Sequence, residues 1–212
     1  MSRVTEPTPE PVAAGTIAYP IGDTLYLNLT NACTLACRFC PKTHDEWVVQ
    51  GHDLDLVRGP SFAEVIEAIG DPTPYREVVF CGLGEPTLRL ALLKQVATWL
   101  KERGARVRLN TDGLANLVHG RDVLPELEGL IDAVSVSLNA QNEDLYNEHC
   151  RPGRPGAYEA CKAFIREATR YLPEVVATAL DGLPGVDIEA CRRITEEELG
   201  ARFRRRVYGV VG

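Results

Sequence analysis

Ala133-Val134-Ser135-Val136-Ser137-Leu138-Asn139 alternates without a break, with Val134, Val136 and Leu138 on one side and Ser135, Ser137 and Asn139 on the other. A period of two predicts a strand, and this one carries a polar face as regular as its apolar one. Two further stretches repeat the pattern. In Thr24–Thr30, Leu25, Leu27 and Leu29 oppose Tyr26, Asn28 and Thr30; in 106–110, Val107 and Leu109 oppose Arg108 and Asn110. Glu77 to Cys81 is a short apolar run suited to a strand covered on both faces. Val175 to Leu180 and Arg202 to Val210 complete a set of six expected strands. In the last, Ala201, Phe203, Arg205 and Val207 fall on one face, and Arg202, Arg204, Arg206 and Tyr208 on the other.

Helical patterns lie between the strands. Ser61-Phe62-Ala63-Glu64 reads as a capping box opening a helix through Val65, Ile66 and Ile69 to Gly70. A second helix is expected over Leu88–Arg103, stopped at Gly104, and a third around Leu124, Leu127 and Leu130, its start blurred by Pro125. Two more are expected over Tyr158–Tyr171 and from Ile188 to Leu199. Strands alternating with helices predict an α/β domain with a parallel sheet of right-handed βα units. A doubly wound sheet would be apolar on both faces. The polar faces of three strands therefore predict a curved sheet, helices outside and a ligand cavity within.

The chain has 212 residues, enough for one substantial core, and the domain is expected to span 16–212 after a disordered leader over 1–15. A formal charge of −7 offers no general attraction to nucleic acid or to an anionic membrane, although a local basic groove stays open. No apolar run approaches a membrane span. Seven cysteines without a secretory signal segment point to a reducing, cytoplasmic setting rather than to disulfides.

Three of those cysteines fall within one short loop after the first strand, Asn31-Ala32-Cys33-Thr34-Leu35-Ala36-Cys37-Arg38-Phe39-Cys40-Pro41. Thiolates suit zinc or iron–sulfur iron, and a trio lacking a fourth local ligand leaves a coordination position open for chemistry. Cys161 and Cys191 sit among helical apolar positions and read as core thiols. Cys150 reads as a loop thiol near the mouth of the cavity, while His44 and His52 are left out of the site.

The C-x3-C-x2-C spacing, with Phe39 before its last cysteine, resembles the motif of the radical S-adenosylmethionine (SAM) enzymes. That resemblance implies a partial (βα)6 barrel, open on one side, with Cys33, Cys37 and Cys40 holding a [4Fe-4S] cluster whose fourth iron is chelated by SAM. It also implies reductive cleavage of SAM to a 5′-deoxyadenosyl radical, and an external electron donor of flavodoxin or ferredoxin type. Cys81-Gly82-Leu83-Gly84-Glu85-Pro86 looks like the family's glycine-rich element, making Gly84 and Glu85 candidates for SAM's amino group. Asn110, Ser137 and Asn139, at strand ends, are candidates for other parts of SAM, and Arg206 for a carboxylate or phosphate of SAM or of the substrate. The overall pattern is most similar to short radical SAM proteins associated with TatD-family nucleases. Substrates in view are a nucleotide, nucleic acid or small molecule. The alternatives are an activating enzyme that makes a glycyl or peptide radical on a protein partner, and a non-catalytic iron–sulfur carrier or sensor.

Overall fold

A computed structural model describes residues 15–207; the leader expected over 1–15, but for its last residue, and positions 208–210 of the last expected strand lie outside the described residues. In chain order the strands are β1 (Ala18–Ile21), β2 (Thr24–Leu27), β3 (Val48–Val49), β4 (His52–Asp53), β5 (Glu77–Phe80), β6 (Val107–Thr111), β7 (Ala133–Ser137), β8 (Glu174–Asp181) and β9 (Arg202–Val207). The helices are α1 (Phe62–Ile69), α2 (Leu90–Lys101), α3 (Ala115–His119), α4 (Glu143–Cys150), α5 (Ala157–Tyr171) and α6 (Ile188–Arg193). Seven strands form one sheet in the order β1-β2-β5-β6-β7-β8-β9. β1 runs antiparallel to β2, and every other pairing in that sheet is parallel.

All six expected strands are therefore present, and β1 is an addition. It is joined to β2 by the two-residue turn Gly22-Asp23, with Gly22 at φ 60. Pro20, which has no N–H to give to a neighbour, is tolerated because β1 is an edge.

Register fixes which side chains share a face. Leu27, Phe80, Leu109, Val134 and Val175 stand in one row, and they join Leu93, Val96 and Leu100 of α2 and Phe164 and Ile165 of α5 in a single apolar core. Asn110, Ser135, Val176 and Arg202 stand in a row on the opposite face, and Ser137, Thr178 and Arg204 in the next. The predicted polar faces thus all point the same way.

That face is concave. In a flat sheet β9 would stand about 24 Å from β2, five strand spacings away. Yet the Arg204 guanidinium interacts electrostatically with Tyr26 of β2 and Arg108 of β6, and Arg206 acts on Cys81 just beyond β5. The sheet curls to bring its edges towards each other, but among the described residues β1 and β9 do not pair, leaving an open-sided partial barrel.

Several helices differ from expectation for local reasons. Pro86 opens a 3-10 turn (Pro86–Arg89), and the α-helix begins only at Leu90. Around Pro125 a single 3-10 turn forms, Leu124–Glu126. The last helix widens into a π turn at Ile194–Glu198, where Thr195 Oγ1 donates 2.9 Å to the Cys191 carbonyl. α3 and α4 are additions; α4 is capped by Asn142, whose side chain accepts from Leu145 N at 3.0 Å. Residues 42–59 contain a 3-10 turn and the small β3–β4 hairpin. Among the described residues no helix is long and apolar enough to cross a membrane.

Candidate cluster and cofactor site

The cysteine loop leaves the C-terminal end of β2 and is held from three sides. Asn31 anchors its start, donating to Leu56 O at 2.9 Å and Asp55 Oδ1 at 2.8 Å and accepting from Leu56 N at 3.2 Å. The end of α4 grips its middle: Ala36 N donates to Cys150 O at 3.1 Å, Arg38 N to His149 O at 2.8 Å, and Gly153 N to Thr34 O at 3.1 Å. Thr43 Oγ1 closes its end on the carbonyls of Cys37 and Cys40, at 3.0 and 2.7 Å. The backbone carrying the three sulfurs is therefore ordered by the protein alone.

Cys33 is exposed and Cys37 and Cys40 are partly so, all with free thiols. Although Cys33 is exposed as a residue, enough protein surrounds its sulfur that desolvation pushes the thiol up to about 12. Cys40 is raised by burial, and Cys37 chiefly by a hydrogen bond with Cys150. The Lys42 ammonium acts on Cys33 and Cys40 in favour of the charged form, but burial outweighs it; the sulfurs are thiols, and bound iron would replace their protons. Among the described residues no three His, Cys, Asp or Glu side chains converge as a single-ion site requires. A four-iron cluster needs thiolates spread over separate corners, which a loop with C-x3-C-x2-C spacing provides.

The glycine-rich element at the end of β5 lies directly on this loop. Glu85 N donates to Ala32 O at 2.8 Å. A β-carbon at Gly84 would overlap the Thr30 carbonyl, and one at Gly82 would overlap the Asn28 side chain, so both glycines are required by close approach. No donor among the described residues reaches the carbonyls of Gly82, Leu83 or Gly84.

Glu85, expected beside SAM's ammonium, is buried, and four donors of the protein meet its carboxyl oxygens. Oε1 accepts from Thr87 N, Thr87 Oγ1 and Thr111 Oγ1 at 3.0, 2.7 and 2.8 Å, and Oε2 from Asp112 N at 2.8 Å. Burial, then the nearby Asp112 carboxylate, push Glu85 up to about 8. Asp112 is raised by burial as well, and it is bonded to Thr34 Oγ1 inside the cysteine loop and to Leu114 N at 2.9 Å. Glu85 and Asp112 thus lock the ends of β5 and β6 to the cysteine loop.

The other candidates line the concave face. Asn110 accepts from Arg108 Nη1 at 3.2 Å and hydrogen-bonds the Cys81 thiol. Ser137 stands partly exposed in the row with Thr178 and Arg204. Asn139, at φ 61, directs Nδ2 to Cys150 Sγ at 3.6 Å, while its buried Oδ1 has no partner. Arg206 faces inward beside Leu180, partly buried. Cys150 is fully buried at the end of α4, against Cys37 rather than in an open loop. Cys161 and Cys191 are buried.

Comparison with known proteins agrees with this reading of the fold. Residues 27–197 match the model of the radical SAM superfamily, and the chain belongs to that superfamily, whose members are enzymes that bind SAM and an iron–sulfur cluster. It is 31% identical to the dual-specificity RNA methyltransferase RlmN of Geobacter sulfurreducens over 58% of this chain and 33% of that protein. It is 30% identical to a tungsten-containing aldehyde ferredoxin oxidoreductase cofactor-modifying protein of Pyrococcus furiosus over 42% of this chain and 23% of that one. The chain thus spans about a quarter to a third of the curated relatives it matches. Among solved structures, the FeFe-hydrogenase maturase HydG of Carboxydothermus hydrogenoformans superposes with a TM-score of 0.62 over 87% of this chain and 44% of that one, at 17% identity.

Proposed function

We propose that this chain forms the catalytic barrel of a radical SAM enzyme, with its [4Fe-4S] cluster held by Cys33, Cys37 and Cys40. When bound and reduced by a flavodoxin- or ferredoxin-type donor, such a cluster supplies the electron that cleaves SAM to methionine and a 5′-deoxyadenosyl radical, which takes a hydrogen atom from the substrate.

The observation that carries this reading is the juxtaposition of two loops. The three thiols and the free carbonyls of Gly82–Gly84 sit together at the C-terminal ends of β2 and β5, joined by the Glu85 N to Ala32 O bond. Active sites on parallel barrels gather at that end. The Gly82–Gly84 carbonyls accept SAM's ammonium, a part that Glu85 supports by position rather than by its carboxylate. Asn139 Oδ1, Ser137 and Asn110 supply polar contacts along the concave face. The substrate is a small molecule, nucleotide or nucleic acid, two curated relatives being an RNA methyltransferase and a cofactor-modifying protein.

Anaerobic reconstitution tests this directly. The wild-type chain is expected to take up about four irons and four sulfides, and with SAM and dithionite to release 5′-deoxyadenosine. Cys33→Ala, Cys37→Ala and Cys40→Ala should each abolish that release, whereas Cys191→Ala should keep the iron. A stable, reducible cluster that never yields 5′-deoxyadenosine would make the protein a carrier or sensor instead.

A further inference from the structure

Four arginines stand on β9, and the chain treats them in two ways. Arg202, at the start of the strand, is paired with Glu174, which also takes Arg106 at 2.6 Å. Arg205, on the outer face, is paired with Asp181. Arg204 and Arg206 have no carboxylate partner among the described residues. Register turns both into the bowl, Arg204 beside Thr178 and Ser137, Arg206 beside Leu180.

Their surroundings intensify the imbalance. Arg204 reaches only a neutral hydroxyl, Ser135 Oγ, at 3.2 Å. Arg108 approaches from β6; it is bound to Glu77 at 3.2 Å, yet its Nε is buried without a partner. Desolvation and the charges of Arg108 and Arg206 hold Arg204 below the usual arginine range. A solvated edge strand would account for arginines that point outward or meet acids. It does not account for two that converge, unpaired, on a third across a concave surface. Like charges so placed repel, and an anion between them would reverse the sign of that interaction.

We propose that Arg204 and Arg206, with Arg108 beside them, form an anion subsite that binds a carboxylate or phosphate group of the substrate. This rests on the radical SAM reading for the identity of the bowl as the reaction chamber. β9 and β2, whose loop carries the thiols, stand on either side of the barrel's open side, so the subsite faces the thiol-bearing strand across that opening. Two planar forks on one concave face suit a tetrahedral or planar oxyanion. Asn110, Ser135 and Ser137 supply neutral hydrogen-bonding groups around it.

The test uses the anaerobically reconstituted full chain with SAM bound, titrated calorimetrically at low ionic strength with inorganic pyrophosphate and, separately, with succinate. One-site binding of either probe is expected, and the preferred probe distinguishes a phosphate from a carboxylate substrate. Arg204→Gln and Arg206→Gln should each weaken it at least tenfold, Arg206→Lys less, and Arg205→Gln on the outer face not at all. Iron content and SAM affinity, measured on the same samples, should stay at wild-type levels. Absence of binding by either probe overturns the subsite, as does an equal loss in Arg205→Gln, which would mark diffuse attraction. A loss of SAM affinity in Arg206→Gln also overturns it, assigning that guanidinium to SAM. None of these outcomes touches the cluster reading, which fails separately if the wild-type chain takes up no iron or releases no 5′-deoxyadenosine.

Discussion

Glu85 with Asp112, and Arg204 with Arg206, are both pairs of like charges at the mouth of one barrel, and the fold deals with them in opposite ways. The acidic pair is buried, meets hydroxyls and backbone N–H groups at close range, and is partly neutralised by raised affinity for protons. The basic pair is left facing open space with a single hydroxyl between them for company. Where every carboxyl oxygen is met by a donor of the protein, a charged residue holds the structure together. Where charges are turned inward with no carboxylate bonded to them, the fold retains a repulsion that Glu77 offsets only in part.

The largest expected effect follows from the acidic side. Glu85→Ala would strip acceptors from the buried N–H groups of Thr87 and Asp112 and from two threonine hydroxyls. The hydroxyls can rotate but the two N–H groups cannot, and at about 1–3 kcal/mol for each of those two a loss of about 2–6 kcal/mol of stability is expected, measured by urea unfolding of the cluster-free chain. A variant of wild-type stability that merely bound SAM more weakly would return Glu85 to the ligand-contacting role its motif first implied.

A smaller effect is a pH dependence of the same group. Glu85 is raised from the ordinary glutamate value to about 8, so the folded chain holds a proton that the unfolded chain releases near pH 4. The stability this contributes is complete below that lower value and is lost as pH rises to about 8; Asp112, raised for the same reason, adds to it with the same sign. The melting temperature of the cluster-free chain should fall between pH 6 and pH 9. Glu85→Gln should start lower, because its amide faces the Asp112 N–H, but vary less over that range. An equally steep fall in that variant would place the titration elsewhere.

This contrast also marks what the sequence made legible. β2, β6 and β7 were readable because alternation within a few residues dictates which side chains share a face, and the curved sheet followed from three polar faces pointing the same way. The cysteine loop was readable because its chemistry is local. β1 was missed although Gly22-Asp23 is a two-residue hairpin turn, and α4 was missed because only its Asn142 cap distinguishes a short, polar segment. The role of Glu85 could not be read. Whether its carboxylate faces a ligand or the interior depends on Thr111 and Asp112 from the next strand, and the linked Thr34 lies on the cysteine loop. Cys150 was misplaced for the same reason, since its approach to Cys37 is set by α4 packing against a loop far away in sequence.

The smallest effect is the most discriminating for the basic side. A surface ion pair is worth about 0–1 kcal/mol, so Arg202→Gln and Arg205→Gln, which break pairs with Glu174 and Asp181, should lower the melting temperature slightly or not at all. Arg204→Gln breaks no ion pair and removes a charge that faces Arg108 and Arg206. Its one hydrogen bond, to Ser135 Oγ, is beyond the shorter glutamine and costs about 0.5–1.5 kcal/mol, which relief from the two like charges offsets. The melting temperature of Arg204→Gln should therefore equal or exceed that of the wild type at low ionic strength. Any gain should vanish near 1 M salt, where the screening length falls to about 3 Å. A variant that melted clearly below both paired-arginine variants would mean that Arg204 stabilises the folded chain, and the comparison between a closed acidic pair and an open basic one would fail at that residue.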